Sequence, residues 1–236
     1  MALGIETKDL RKRLRGNPAL RGLSLRFEPG LLHGVIGPDG AGKTTLMRTL
    51  VGLLRPDEGQ VLYDRDGSLV SFSEVRPVMA YMPQQQSLYP DLSVEEHLEF
   101  FRDLYRLSPA DYAQRSTELL RITRLERFKD RRAGKLSGGM YKKLGLMCAL
   151  LQSPALILLD EPTNGVDPIS RREFWDLLRG LVERKVTVLL STAYMDEAGR
   201  CSKVHLLDSG SCIASGEPRA LIQERGARSI EELFLR

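Results

Sequence analysis

Residues 37–44 read Gly37-Pro38-Asp39-Gly40-Ala41-Gly42-Lys43-Thr44, the pattern G-x-x-x-x-G-K-[ST] of a loop that wraps phosphate. Its three glycines let the backbone curl until N–H groups point inward at phosphate oxygens. Leu31–Ile36 reads as a strand running straight into the loop. After it, Leu46, Leu50, Leu53 and Leu54 mark the buried face of a helix, which Pro56 and Gly59 are expected to end. That helix opens near Gly42 and adds its positive end to the site. Lys43 supplies a point charge for β- and γ-phosphate oxygens, and Thr44 offers a hydroxyl to Mg²⁺.

A second stretch supplies the other half of a phosphate site. Leu156-Ile157-Leu158-Leu159 reads as a buried parallel strand. Asp160 emerges at its carboxyl end, where ligands of α/β proteins bind, and can hold the Mg²⁺ shell. Glu161 follows, placed to polarise an attacking water. Leu136-Ser137-Gly138-Gly139-Met140 opens a helix carrying Leu144, Met147, Cys148 and Leu151. Ser137 is a good N-cap, and the glycine pair leaves the helix end open to an anion. The chain already has one phosphate loop. A second anion-binding helix end therefore points to a nucleotide held mainly by another copy or a partner.

Outward from these motifs the pattern is mixed α/β. Ile5–Leu10, Leu23–Glu28 and Gln60–Asp64 alternate apolar and polar residues, as half-buried antiparallel strands do. From Ser93 to Lys135 no strand signal occurs. Ser93 and Glu96 form a capping box, Leu98, Phe101, Leu104 and Tyr105 continue the apolar face of its helix, and Leu119, Leu120, Ile122 and Leu125 belong to a second helix. Residues 93–135 thus read as a helical insertion in an α/β core formed by 1–92 and 136–225, with 226–236 as a short tail. Strands are expected at Leu156–Leu159, Thr187–Leu190, Lys203–Leu207 and, after a Ser209-Gly210 turn, Cys212–Ala214. Gly216 and Pro218 punctuate the entry to a terminal helix.

The 236 residues, 42% hydrophobic and 28% charged, are room for one large domain. No apolar run approaches the roughly 18 residues that span a bilayer, and the N-terminus lacks a signal-peptide core. Cys148, Cys201 and Cys212 are an odd set without metal spacing, read as reduced thiols of a cytosolic protein. The net charge of +4 gathers at Arg11-Lys12-Arg13 with Arg15 and at Lys129, Arg131-Arg132 and Lys135. These read as solvated faces, of a charge that nearby phosphate or anionic lipid would favour. No aromatic interleaving supports base stacking, so no nucleic acid is expected.

In this order, over the whole length, the motifs resemble an ATP-binding cassette (ABC) domain, the nucleotide-binding subunit of ABC transporters. The resemblance implies a P-loop NTPase fold with a mixed-sheet core, an antiparallel β subdomain and a helical subdomain. Gly37, Pro38, Asp39, Gly40, Ala41, Gly42, Lys43, Thr44 and the following Thr45 are similar to the Walker A loop that binds ATP. Gln84 in Tyr-Met-Pro-Gln resembles the glutamine loop, which touches Mg²⁺ and senses the membrane subunit. Leu136–Met140 looks like the signature motif, and Leu156–Glu161 like the Walker B strand with its catalytic glutamate. Asn164-Gly165-Val166-Asp167 resembles the D-loop that meets the opposing cassette. Met140, Asp167-Pro168 and Glu231-Glu232-Leu233-Phe234 resemble drug- and export-type subunits that pair with ABC-2 permeases.

Two positions depart from that pattern. The switch histidine of the family follows a Ser-Thr pair, and here Ser191-Thr192 is followed by Ala193. The aromatic residue that stacks on adenine is matched by Leu14. His33, His97 and His205 read as structural, in a strand, a helix and a strand. The resemblance then implies a membrane-bound exporter's ATPase, peripheral on the cytoplasmic face through an ABC-2-type permease. It would pair with a second cassette, on a separate subunit or on a longer polypeptide. Its cofactors are ATP and Mg²⁺, with Glu161, Lys43 and Gln84 catalytic, and Thr44, Gln84 and Asp160 around the metal. Its own site is expected to turn over slowly. A module that uses ATP as a clamp, and an ABC ATPase acting on ribosomes or DNA, are the other readings.

Overall fold

The computed structural model describes residues 3–85 and 88–235. The chain opens with β1 (Leu3–Leu14), β2 (Asn17–Leu23) and the short β3 (Arg26–Phe27), then runs through β4 (Leu32–Ile36) into α1 (Lys43–Leu50). Next come β5 (Glu58–Arg65), β6 (Ser68–Val70), the single turn α2 (Phe72–Val75) and β7 (Met79–Met82). Two helices follow, α3 (Val94–Tyr105) and α4 (Pro109–Thr123). The rest alternates: α5 (Gly138–Leu150), β8 (Leu156–Asp160), α6 (Pro168–Glu183), β9 (Thr187–Thr192), β10 (Lys203–Asp208), β11 (Ser211–Gly216), α7 (Pro218–Glu224) and α8 (Ile230–Leu235).

A 6-stranded sheet in the order β11-β10-β4-β9-β8-β7 forms the centre. All its neighbours are parallel except β10 and β11. Every residue of β4, β8 and β9 is buried, which explains why they read as continuous apolar runs rather than alternating ones. Their two faces feed two cores. Leu156 and Leu158 pack with Leu46, Met47 and Leu50 of α1 and with the antiparallel sheet β2-β1-β5-β6. Ile157 and Leu159 pack on the opposite side with Leu144 and Met147 of α5 and Trp175 of α6. The period of two along a strand sorts these side chains.

The structure corrects several sequence expectations. α1 ends at Leu50, because the chain reverses at Gly52 (φ 73°) before reaching Pro56. Leu53 is therefore 64% exposed instead of buried. In α3, Leu98 is buried while Leu104 is 60% exposed, since only one side of that helix lies on α5. α4 stops at Thr123 where Arg124 turns left-handed (φ 60°), so buried Leu125 lies beyond it. The expected strand Leu23–Glu28 is divided between β2 and β3, the latter pairing Ile5 with Phe27. β7 and α6 were not anticipated.

His33, His97 and His205 are buried. His33 on β4 and His205 on β10 stack with ring centroids 5.6 Å apart, and Phe27 lies 4.6 Å from His205. His205 Nδ1 meets the Ser215 hydroxyl at 2.8 Å. Burial, then the neighbouring His33 and Lys203, pushes the His205 imidazole down to about 3 from 6.5. The unfolded chain takes up this proton first. Stability from His205 is thus complete above about pH 6.5 and is lost as pH falls toward 3. On moving from about pH 7.5 to about pH 5, the urea midpoint of the parent is expected to fall further than that of His205→Asn. Equal falls in the two proteins would show that this imidazole is not the acid-labile group.

Candidate functional site

Elementary topology decides where the site lies. β4, β8 and β9 are parallel, and their carboxyl ends deliver the phosphate loop, Asp160-Glu161 and Ser191-Thr192 side by side: Asp160 pairs with Ser191, and Ile36 with Thr192. Gly42 is the N-cap of α1 at φ 99°. A side chain there would be strained by that conformation and would press on the Ala19 carbonyl. The Gly37 N–H is fixed by the Thr192 carbonyl at 3.2 Å.

The charged groups converge. The Lys43 ammonium is 4% exposed, donates to the carbonyls of Gly37 (2.8 Å) and Pro38 (3.0 Å), and lies 3.0 Å from Glu161 Oε1. Glu161 sits in the left-handed region at φ 45°, its N–H donating to Ser191 Oγ at 3.0 Å. Its Oε2 accepts from the amides of Gln84 (3.2 Å) and Asn164 (3.1 Å). Asp160 Oδ1 accepts from Ser191 Oγ (2.6 Å) and Thr44 Oγ1 (3.1 Å), while Oδ2 accepts from the Tyr81 hydroxyl at 3.3 Å. Burial, then Asp160, pushes the Tyr81 phenol up to about 12, which keeps it a donor.

A cavity of about 440 Å³ opens over this cluster. Asp39, Gly40, Gly42, Lys43, Thr44 and Thr45 form one wall, and Gln84 and Glu161 another. Leu14, 41% exposed at the end of β1, reaches the same cavity with Ala19. Such an arrangement can cradle a polyphosphate under backbone N–H groups and one ammonium. The oxygens of Thr44 and Asp160, already in contact, suit a hard cation such as Mg²⁺.

Leu136–Met140 lies outside this cavity. Ser137 caps α5, accepting from the Met140 N–H at 3.3 Å. Gly139 is packed so tightly against Ser170 of α6 that a Cβ would collide with it. Asp167 caps α6, accepting from the N–H groups of Ile169 (3.1 Å) and Ser170 (2.9 Å). The glycine pair thus serves the junction of α5 with the 164–167 loop as well as the open helix end. Ala193 directly follows β9, whose last residue, Thr192, pairs with Ile36, the residue before Gly37.

A family model described as "ABC transporter" matches residues 20–164, more than half of the chain. The chain belongs to the ABC transporter family. The cassette is 44% identical over 227 residues to the probable multidrug ABC transporter ATP-binding protein YbhF of Escherichia coli K12, covering 95% of this chain and 39% of that protein. The chain thus spans well under half the length of that relative. It is 36% identical over 231 residues to the Nod factor export ATP-binding protein I of Cupriavidus metallidurans, covering 98% of this chain and 76% of that one. A solved ATP-binding subunit of an ABC transporter superposes with a TM-score of 0.84 at 31% identity, over 98% of both chains. A dimeric bacterial ABC transporter cassette gives 0.78 at 26% identity, over 90% of this chain and 98% of that one. The architecture is that of the ABC cassette: a mixed α/β core, an antiparallel β sheet and a helical part.

Sequence reasoning missed three contacts of the cassette's site. Tyr81 stands on β7, whose run Met79–Met82 is an apolar strand signal. Ser191 was seen only as the neighbour of the switch position. Lys142 of α5 donates to the Gln84 carbonyl at 3.0 Å. Burial lowers its amine below the usual lysine range, against the pull of Asp160 and Glu161. Among the described residues no helix is long and apolar enough to cross a membrane.

Proposed function

We propose that this cassette is the ATP-hydrolysing subunit of an exporter, driving a separate ABC-2-type permease from the cytoplasmic face of the membrane. The observation that carries the reading is the division of the site. Lys43, Thr44, Gln84 and Glu161 line one cavity, with buried Asp160 held to Thr44 behind its wall, while the helix end at Leu136–Met140 stands outside it. Two cassettes placed head to tail would bring the signature of each to the nucleotide of the other. The names of the export-type relatives support the direction of transport.

In this reading Lys43 leaves Glu161 for the β- and γ-phosphates, and the loop N–H groups hold their oxygens. Thr44 and Asp160, with Gln84, would hold Mg²⁺, which supplies positive charge to the phosphates when bound. Glu161 is freed to orient a water and accept its proton, while Asn164 and Gln84 fix the carboxylate. Such transfer rests on positioning and charge. The Asp167 loop faces the opposing cassette. For the permease, a groove of about 250 Å³ beside β7, lined by Met82, Leu88, Phe101 and Tyr105, offers an apolar seat. Exposed Phe100 packs edge-on against Phe101 of this groove, and exposed Tyr89 against Phe100.

Ala193 and Leu14 make the site a slow one. An aromatic stack is worth about 0.5–1.5 kcal/mol, so Leu14 weakens ATP binding several-fold without abolishing it. A missing polar group beside the γ-phosphate costs roughly 10²–10⁴ in rate. A second cassette with its histidine, completed by Leu136–Met140 of this chain, would carry the efficient turnover. Pull-down of the tagged protein from native membranes is expected to return a permease and a non-identical cassette. Recovery of identical cassettes alone would end the asymmetric model. Co-fractionation with ribosomes or DNA would end the transporter reading.

A further inference from the structure

A second cavity, of about 460 Å³, lies at the other end of the central sheet. Val78, Ala155 and Val186, which line it, directly precede β7, β8 and β9. It therefore sits at the amino ends of the strands whose carboxyl ends hold the phosphate loop cluster. Its floor is apolar: Val78 and Val186 meet Leu119 and Ile122 of α4, Leu150 of α5 and Leu181 of α6. Its rim is cationic. Arg65, Arg115, Arg184 and Lys185 surround it against one lining carboxylate, Glu118.

The charges on this rim are poorly balanced. Glu118 is engaged by Arg184 at 2.6 Å. Arg65 donates to the Glu74 carbonyl at 2.8 Å, and Arg115 to the Leu151 carbonyl at 3.1 Å. The nearest acid to Arg115 is Asp111, 3.7 Å away on its own helix and half exposed. Lys185 is exposed and forms no ion pair among the described residues. A cationic ligand would be repelled, and a neutral one would leave the rim charges unused. The volume falls within the roughly 300–1,000 Å³ of sites that take drug-sized ligands.

We infer that this cavity binds a small amphipathic anion, its apolar body on the floor between α4 and the core and its carboxylate or sulfonate among the rim cations. Ala155 and Asp160 stand at opposite ends of β8, about 16 Å apart at the usual rise of a strand. The anion and ATP therefore do not compete. Because the walls come from α4 on one side and the ends of α5, α6 and β9 on the other, occupation ties these parts together and raises the melting temperature by mass action.

The test uses 1-anilinonaphthalene-8-sulfonate as the anionic probe and N-phenyl-1-naphthylamine as its neutral counterpart, read by fluorescence on the whole chain. The sulfonate is expected to bind saturably, unaffected by ATP and Mg²⁺, with thermal stabilisation. Affinity is expected to fall about tenfold for each rim cation removed, in Arg115→Gln and in Lys185→Asn. Lys185 has φ 65°, a conformation that asparagine tolerates, so Lys185→Asn preserves the fold. The neutral probe should bind more weakly and ignore both changes. Equal binding of the two probes would overturn the inference. So would sulfonate affinity that is unchanged by the rim variants or lost only in Phe101→Asp, beside the other apolar groove. No turnover is read, so failure here leaves the ATPase reading intact, and the reverse holds too.

Discussion

Ala193→His is expected to raise ATP turnover of the purified cassette by about a hundredfold or more, while the parent stays close to the Glu161→Gln blank. The expectation follows from the completeness of the charged cluster around it. Lys43 is buried beside Glu161, Glu161 is held by Gln84 and Asn164, and Asp160 by Ser191, Thr44 and Tyr81. Position 193 directly follows Thr192, whose carbonyl holds the Gly37 N–H at 3.2 Å, so an imidazole there starts beside the phosphate loop. A gain that comes from the imidazole should also bring a new dependence on pH near its ordinary value of about 6.5. Turnover by the parent at an ordinary enzymatic rate, on the order of 10 s⁻¹, with little change in Ala193→His, would remove the slow-site reading. Turnover indistinguishable from the blank in both proteins would favour the ATP clamp.

Trp175→Ala is expected to cost about 3–5 kcal/mol of folding stability, the largest loss from any single side chain considered. Trp175 is fully buried and joins α6 to the main core. Its indole N–H also donates to Glu197 Oε1 at 3.1 Å. That carboxylate, 0% exposed, receives Thr163 Oγ1 (2.9 Å) and Arg171 Nε (2.8 Å) as well, while its Oε2 has no partner among the described residues. Truncation therefore opens a cavity and weakens the support of a buried charge. Trp175→Phe keeps much of the volume while losing the donor, so its cost should be smaller. Urea unfolding of the three proteins measures this. A Trp175→Ala cost under about 1 kcal/mol would mean that the core closes around the gap.

The same network explains what was legible in the sequence and what was not. The phosphate loop, the Asp160-Glu161 strand end and the Ser137 cap are local: each depends on residue types at fixed spacing, and each reads directly. The buried strands showed as apolar runs because both faces are covered, one by α5 and α6 and the other by α1 and the antiparallel sheet. Leu53 and Leu104 misled because apolar spacing reports that a face exists, not that something covers it. Glu197, Arg171 and Thr163 come from three separate stretches, and only the folding of α6 over the carboxyl ends of β8 and β9 joins them. Tyr81 escaped because its strand is four residues long. Gly139 was read as clearance for an anion, and its contact with Ser170 adds a packing reason that spacing could not carry.

The Lys43–Glu161 contact sets a threshold for the first event at the site. The ammonium has a negative partner 3.0 Å away, so in the proposed function a triphosphate would have to displace a seated rival before it is held. Its measured affinity is a difference between two anions competing for one cation. The same displacement releases the carboxylate at the moment the phosphate arrives. In the proposed function Glu161 is thereby kept from acting as an unengaged base while Lys43 holds it, and readiness is coupled to occupancy by a single exchange of partners.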